Sequence, residues 1–182
     1  MRLDRPLETP RLTLRSLSSS DVTSRYVGWL NDSEVNRYLE TRHTVQSKET
    51  VRAFVESMNA SIDNLLLGLF VKVDSRHIGN VRLGPIINHH RHAAIGLVIG
   101  EKSEWHKGLA AEAIDAVAGH ALRVLDLRKV IAGFYAGNTI SMKAFRRAGF
   151  VEEARLRDHW WHEDAWQDGV LMARFAHVAV SS

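Results

Sequence analysis

The segment that most limits what this chain can become runs from Ala93 to Leu125. An apolar stretch, Ala93 to Ile99, has strand length and stops at Gly100. Trp105-His106-Lys107-Gly108 then leads into a long pattern whose polar positions, Glu112, Asp115, Gly119, Arg123 and Asp126, recur at helical spacing. Ile114, Val117, Ala121 and Leu125 fill the opposite face, so the spacing predicts a helix over 105–125 with one wet stripe. A buried strand feeding a helix through a glycine turn leaves the helix's first N–H groups unpaired, beside a partial positive charge. A diphosphate is a natural occupant of such a place. Gly108 lets an anion approach the backbone, Ala110 and Ala111 are small, and Lys107 adds charge. Read alone, Gly108 is equally a plain turn glycine. Neither a Walker lysine nor a Gly-x-Gly-x-x-Gly fingerprint is present.

A second segment follows. Gly137-Asn138-Thr139-Ile140-Ser141 opens a helix over 138–148 that Gly149 stops. Asn138 and Ser141 serve the helix start, or face a ligand lying between the two helices.

The remaining pattern predicts a strand at 11–17, a helix at 22–30 and a short helix at 33–39. A further helix opens at Gln46 and carries Val51, Phe54, Val55 and Met58 on one face. Strands are expected at 65–73, 78–84, 93–99, 130–135, 150–156 and 170–178, with polar loops at 88–92 and 159–166. The order is α+β: one domain over 1–182, with helices placed on a mixed, largely antiparallel central sheet.

Composition excludes more than it selects. The chain has 182 residues and no cysteine, which rules out disulfides, thiolate nucleophiles and Cys-type zinc sites. The first residues are charged throughout and lack the apolar core of a secretory signal, so a cytoplasmic location is expected. A net charge of +3 suits a polyphosphate ligand, but the basic residues form no block, and neither nucleic acid nor membrane is expected as a partner. His89-His90-x-His92 and His159-x-x-His162-Glu163 contain metal-ligand types at spacings that match no closed zinc pattern, so no metal is expected.

Taken together and in order, these segments resemble the GNAT superfamily of N-acetyltransferases. Gly108 and Ala110 match the family's pyrophosphate loop, with Trp105 where Arg or Gln is frequent. Asn138, Ser141, Gly149 and Phe150, with the opening Leu7-Glu8-Thr9-Pro10-Arg11-Leu12 and Trp29-Leu30-Asn31-Asp32, are similar to the ribosomal-protein N-terminal acetyltransferase branch. His77 to Pro85 and Arg155-Leu156-Arg157 resemble acetyltransferases that act on amino sugars.

The resemblance implies acetyl-CoA as donor, held by Trp105, His106, Lys107, Gly108, Leu109, Ala110, Asn138, Ser141 and Phe145. The backbone N–H groups of Leu97, Val98 and Ile99 would face the oxyanion on a splayed strand. Many relatives place a tyrosine acid where Phe145 stands, which leaves Ser141 as the group to meet the sulfur. No carboxylate precedes the splay, so His89 and His92 head the candidate bases, with His90, His159 and His162 behind them. The acceptor pocket is expected from the first two helices and the loops at 88–92 and 159–166. Its occupant is expected to be a small-molecule amine such as an amino sugar, free or nucleotide-linked. A protein N-terminus is the alternative, and a non-catalytic acyl-CoA-binding module keeps the fold without the reaction. Strand edges near the C-terminus allow a homodimer.

Overall fold

A computed structural model of the chain describes residues 1–176. Its eight strands are β1 (Leu7–Glu8), β2 (Leu12–Ser16), β3 (Leu65–Val71), β4 (His77–Ile87), β5 (His92–Ile99), β6 (Lys129–Tyr135), β7 (Val151–His162) and β8 (Ala165–Phe175). They join one sheet in the order β1-β2-β3-β4-β5-β6-β8-β7. Four helices flank it: α1 (Ser24–Asn31), α2 (Lys48–Ala60), α3 (Leu109–Arg123) and α4 (Thr139–Arg147).

The sheet is antiparallel except where β5 meets β6. That parallel pair is joined only at His92↔Lys129, Ala93↔Val130 and Ala94↔Ile131. Both strands then continue, β5 to Ile99 and β6 to Tyr135, each paired on its outer side but no longer to one another, so the sheet opens into a wedge between them.

β3 lies inside the sheet between β2 and β4, and all its residues are buried. Period-two alternation divides them between two cores. Leu65, Leu67 and Leu69 join Ile114, Val117, Ala121, Phe134 and Phe145 under α3 and α4. Leu66 and Phe70 join Tyr26, Trp29, Val51 and Val55 under α1 and α2. The sheet is therefore covered by α3 and α4 on one face and by α1 and α2 on the other.

Several boundaries differ from the sequence reading, each for a local reason. α1 begins at Ser24 because Thr23, rather than Asp21, accepts the Tyr26 N–H; the Asp21 carboxylate is occupied by Arg15 and Ser18. Residues 33–39 form turns instead of a helix. There Asp32 Oδ1 accepts from the Glu34 N–H, and the Asn36 amide donates to the Leu30 carbonyl, so side chains supply what a helix ladder would. α3 starts at Leu109 because His106 and Gly108 are left-handed, with φ of 62° and 80°. The loop expected at 159–166 is the tip of the β7–β8 hairpin, turned at Glu163-Asp164, both with positive φ. β8 starts at Ala165, earlier than expected, and Val178 lies outside the described residues.

Candidate active site

The opened wedge and the start of α3 stand at the same end of the sheet. Gly108 is the N-cap of α3 and supplies no side-chain cap, so the first N–H groups of the helix remain available. At a φ of 80° only glycine sits without strain. A Cβ placed there would lie 3.7 Å from the Arg11 guanidinium. Arg11 is built into the turn: Nη1 donates to the Lys107 carbonyl at 2.8 Å and Nε to Glu112 Oε2 at 2.7 Å. Glu112 also accepts from the Thr9 hydroxyl and the Arg11 N–H. Burial pushes its carboxyl upward, but these donors outweigh that and hold it below the usual range. The fit to a diphosphate thus rests on an uncapped helix end, a close approach at Gly108 and a fixed guanidinium alongside.

The other expected residues of this turn behave differently from one another. The Lys107 ammonium is spent on Glu104, 3.1 Å away, and Glu104 in turn holds Arg76 at 2.7 Å. His106 is exposed, and the Leu109 side chain is buried in the core, so its N–H alone can face a ligand. Ala110 is half-buried. Trp105 points its indole N–H back to the Ile99 carbonyl at 2.8 Å and fastens the α3 turn to the last residue of β5.

Along β5 the three backbone candidates separate. Gly100 N–H donates to the Ile78 carbonyl at 2.9 Å. Antiparallel alternation then turns Val98 toward β4, while Leu97 and Ile99 turn their N–H groups into the wedge. Val98 is thereby corrected as an oxyanion donor: its carbonyl lies where a Gly79 Cβ would come within 2.2 Å.

At the start of α4, Asn138 Oδ1 accepts the Ser141 N–H at 3.3 Å, which leaves the Asn138 amide N–H groups uncommitted among the described residues. Ser141 is half-buried on the first turn. Phe145 is buried edge-on against Phe134 and Phe150, with ring centroids 4.9 and 5.0 Å away. It belongs to the core beneath the wedge, which corrects its assignment as a cofactor contact.

The histidines are corrected most. His92 starts β5 at its paired end. Leu97 lies five residues further on, roughly 16 Å at strand rise. His89 and His90 sit in the turn just before it, so the 88–92 segment lies at the opposite end of the hairpin from the wedge. His89 and His92 are therefore too far away to serve as bases. His162 is near the wedge, but both its nitrogens are occupied. Nδ1 faces Gln167 Nε2 at 3.2 Å, and Nε2 faces the Arg37 carbonyl at 2.9 Å. His159 is exposed and packs on Trp160. Among the described residues no three His, Asp or Glu side chains converge to hold a metal.

A cluster the sequence reading passed over stands at the mouth instead. Tyr135, the last residue of β6, donates its hydroxyl to Glu40 Oε1 at 2.5 Å and accepts from Arg42 Nη2 at 2.9 Å. Burial and then Glu40 raise its pKa, against the pull of Arg42. Tyr38 and Trp160 flank its ring at 5.8 and 5.4 Å, and Tyr38 stacks on His162 at 4.9 Å. The floor between this cluster and α2 is open: Ala94, Gly96 and Gly133 are exposed there. Tyr135 ends its strand just before Gly137-Asn138, and a residue at the open end of a splayed strand was the signal available in the sequence.

The fold and the wedge define a class. Residues 11–151 match the Acetyltransferase (GNAT) domain, and the chain belongs to that family. It is an acetyl-CoA-dependent N-acetyltransferase. It is similar to the ribosomal protein uS5-alanine N-acetyltransferase of Escherichia coli (strain K12), at 26% identity over 92% of this chain and 89% of the relative. It is equally similar to the spermidine N(1)-acetyltransferase of Vibrio cholerae, at 27% identity over 87% of this chain and 89% of the relative. A crystal structure of spermidine N-acetyltransferase from Vibrio cholerae in complex with CoA and spermine shares the fold, with a TM-score of 0.82, 21% identity and coverage of 92% and 97%. Among the described residues no helix is long and apolar enough to cross a membrane.

Proposed function

We propose that the chain acetylates the primary amine of a small molecule, an amino sugar, free or nucleotide-linked, being the acceptor that fits best. The observation that carries this reading is the mouth cluster, where an aromatic wall of Tyr38, Tyr135 and Trp160 stands beside one carboxylate, Glu40. The apolar face of a sugar ring packs on such a wall, and a carboxylate receives its ammonium. Arg42 pairs with Glu40 and Arg37 with Glu163, so the mouth carries no excess of negative charge to draw in a polycation.

Each step falls to a named group. The α3 N–H groups and Arg11 hold the diphosphate of the donor, and the Asn138 amide lies beside the pantetheine path. Glu40, with Tyr135 bound to it, takes a proton from the acceptor ammonium. The freed amine nitrogen bonds to the thioester carbon, and the carbonyl oxygen gains the negative charge. The Leu97 N–H meets that charge, a contribution of about 3 kcal/mol for one such donor. The oxyanion then re-forms its C=O bond as the C–S bond breaks, and the nitrogen gives up its remaining extra proton to solvent, leaving the neutral amide and the departing thiolate. A thiol with a pKa of about 8.5 leaves tolerably as thiolate, with the Ser141 hydroxyl within the same turn as the Asn138 cap. Phe145 offers no proton.

Release of free thiol from acetyl-CoA tests the reading, with glucosamine, spermidine and an alanine-initiated peptide compared as acceptors. Fastest turnover of the amino sugar is expected. Faster peptide turnover would replace the reading with N-terminal acetylation, and no turnover with any amine would leave an acyl-CoA-binding module. Glu40→Gln is expected to lower kcat/KM for the amine about 100-fold, within the range of a general base, with little change in KM for acetyl-CoA.

A further inference from the structure

Among the described residues, Arg82 is the half-buried arginine that has no ion pair. Among the described residues the other arginines either pair with a carboxylate, as Arg11, Arg15, Arg37, Arg42, Arg76 and Arg174 do, or are exposed. Arg82 instead bonds twice to a neutral acceptor: Nε and Nη2 both donate to Asn64 Oδ1, at 2.9 and 2.6 Å. Asn64 is itself buried and fixed, its amide donating to Ser61 Oγ and Asp63 Oδ1. Asp63 feels the Arg82 charge through the field but forms no ion pair with it. The guanidinium is thus oriented by an amide that leaves its charge uncancelled, with Nη1 unassigned.

Its place in the sheet connects it to the acceptor side. Arg82 lies across from Leu66 on β3, which packs under α1 and α2, and across from Gly96 on β5. Cross-strand partners share a face, so Arg82 emerges on the open side of the wedge, one strand away from the unpaired stretch of β5. Gly96 has nothing within 4 Å of where a Cβ would stand, so the surface beside Arg82 is unobstructed. Half-burying a positive charge without a counter-ion is costly unless an anion arrives to complete it.

We propose that Arg82 is the specificity-determining residue that receives an anionic group, phosphate or carboxylate, carried by the acceptor amine. This rests on the small-molecule acceptor reading above and narrows it to amines whose nitrogen and anion are separated by one to two strand spacings, about 5–10 Å. A planar guanidinium already fixed along one edge suits a forked oxyanion.

Two measurements test it. In the first, glucosamine, its phosphate ester and the corresponding amino-uronic acid are compared with wild type, Arg82→Gln and Arg82→Lys. Wild type is expected to favour an anionic form by about tenfold or more in kcat/KM. Arg82→Gln should erase that preference while leaving glucosamine itself unchanged, and Arg82→Lys should restore part of it. The anion preferred distinguishes phosphate from carboxylate. Equal rates on neutral and anionic acceptors, or a preference that survives in Arg82→Gln, would overturn the assignment. The second measurement needs no turnover. With CoA saturating the α3 turn, titration with inorganic phosphate should show binding to wild type that weakens several-fold in Arg82→Gln. Identical phosphate binding in both would overturn the assignment even if no tested amine is acetylated, whereas phosphate binding lost only in Arg82→Gln, with all amines inert, would place the failure in the acceptor reading.

Discussion

At the scale of single residues, the charged side chains that matter are those whose partners are fixed by backbone. Asp21 illustrates this away from the wedge. Burial pushes its carboxyl up, but two bonds from Arg15 and two from Ser18 outweigh that and hold it at about 2. A carboxylate with a depressed folded pKa contributes stability that is present above its unfolded pKa of about 3.9 and is lost as pH falls toward 2. Asp21→Asn should therefore cost on the order of 1–2 kcal/mol at neutral pH, allowing for the partly exposed Arg15. The gap between variant and wild type in urea unfolding should close between pH 4 and pH 2, as the Asp21 pKa of about 2 requires. A gap that persists unchanged at low pH would assign the cost to something other than the charge. Arg11 and Glu112 follow the same logic at the α3 turn, and the sequence could not show it: Arg11 reaches its partner across 101 positions.

At the scale of elements, what was legible followed from periodicity. The apolar runs of β3, β5 and β6 and the capped start of α4 at Asn138 could be read directly, because burial and capping are local demands. The β7–β8 hairpin was hidden. β7 is mostly exposed and charged, and the turn uses Glu163-Asp164 without a glycine. The mouth cluster was hidden for a related reason. Tyr38, Glu40 and Arg42 lie in a segment of turns with no period, and they meet Tyr135 across 93 to 97 positions. The histidine assignments failed because a loop sequence does not say at which end of its hairpin the wedge will open. Trp105 joins two elements, and its effect belongs here. Trp105→Phe keeps the ring and removes the bond to Ile99, worth about 1 kcal/mol. KM for acetyl-CoA should rise several-fold with KM for the amine unchanged. An equal rise in both would mean that the indole bond serves general stability rather than the donor side of the wedge.

At the scale of the molecule, one sheet does two jobs. Its antiparallel body, buried between two helical layers, is a rigid frame, and its one parallel pair is left open at the end where α3 begins. The donor side proposed above is formed by α3, α4 and β5, as the family resemblance implied. The acceptor side proposed above draws on α2, the segment around Glu40 and the β7–β8 hairpin, and these carry the features particular to this chain. The central claim is that the uncapped start of α3 at Gly108 holds the donor's diphosphate. The measurement that tests it most directly is the thermal unfolding midpoint with and without saturating acetyl-CoA, on wild type and on Gly108→Glu. A ligand at about 100 times its Kd adds about 2.7 kcal/mol, so the wild-type midpoint should rise by several degrees. Gly108→Glu should start lower, because a side chain at φ 80° is strained, and should show no rise with ligand. An equal rise in both proteins would place the diphosphate elsewhere and contradict the account.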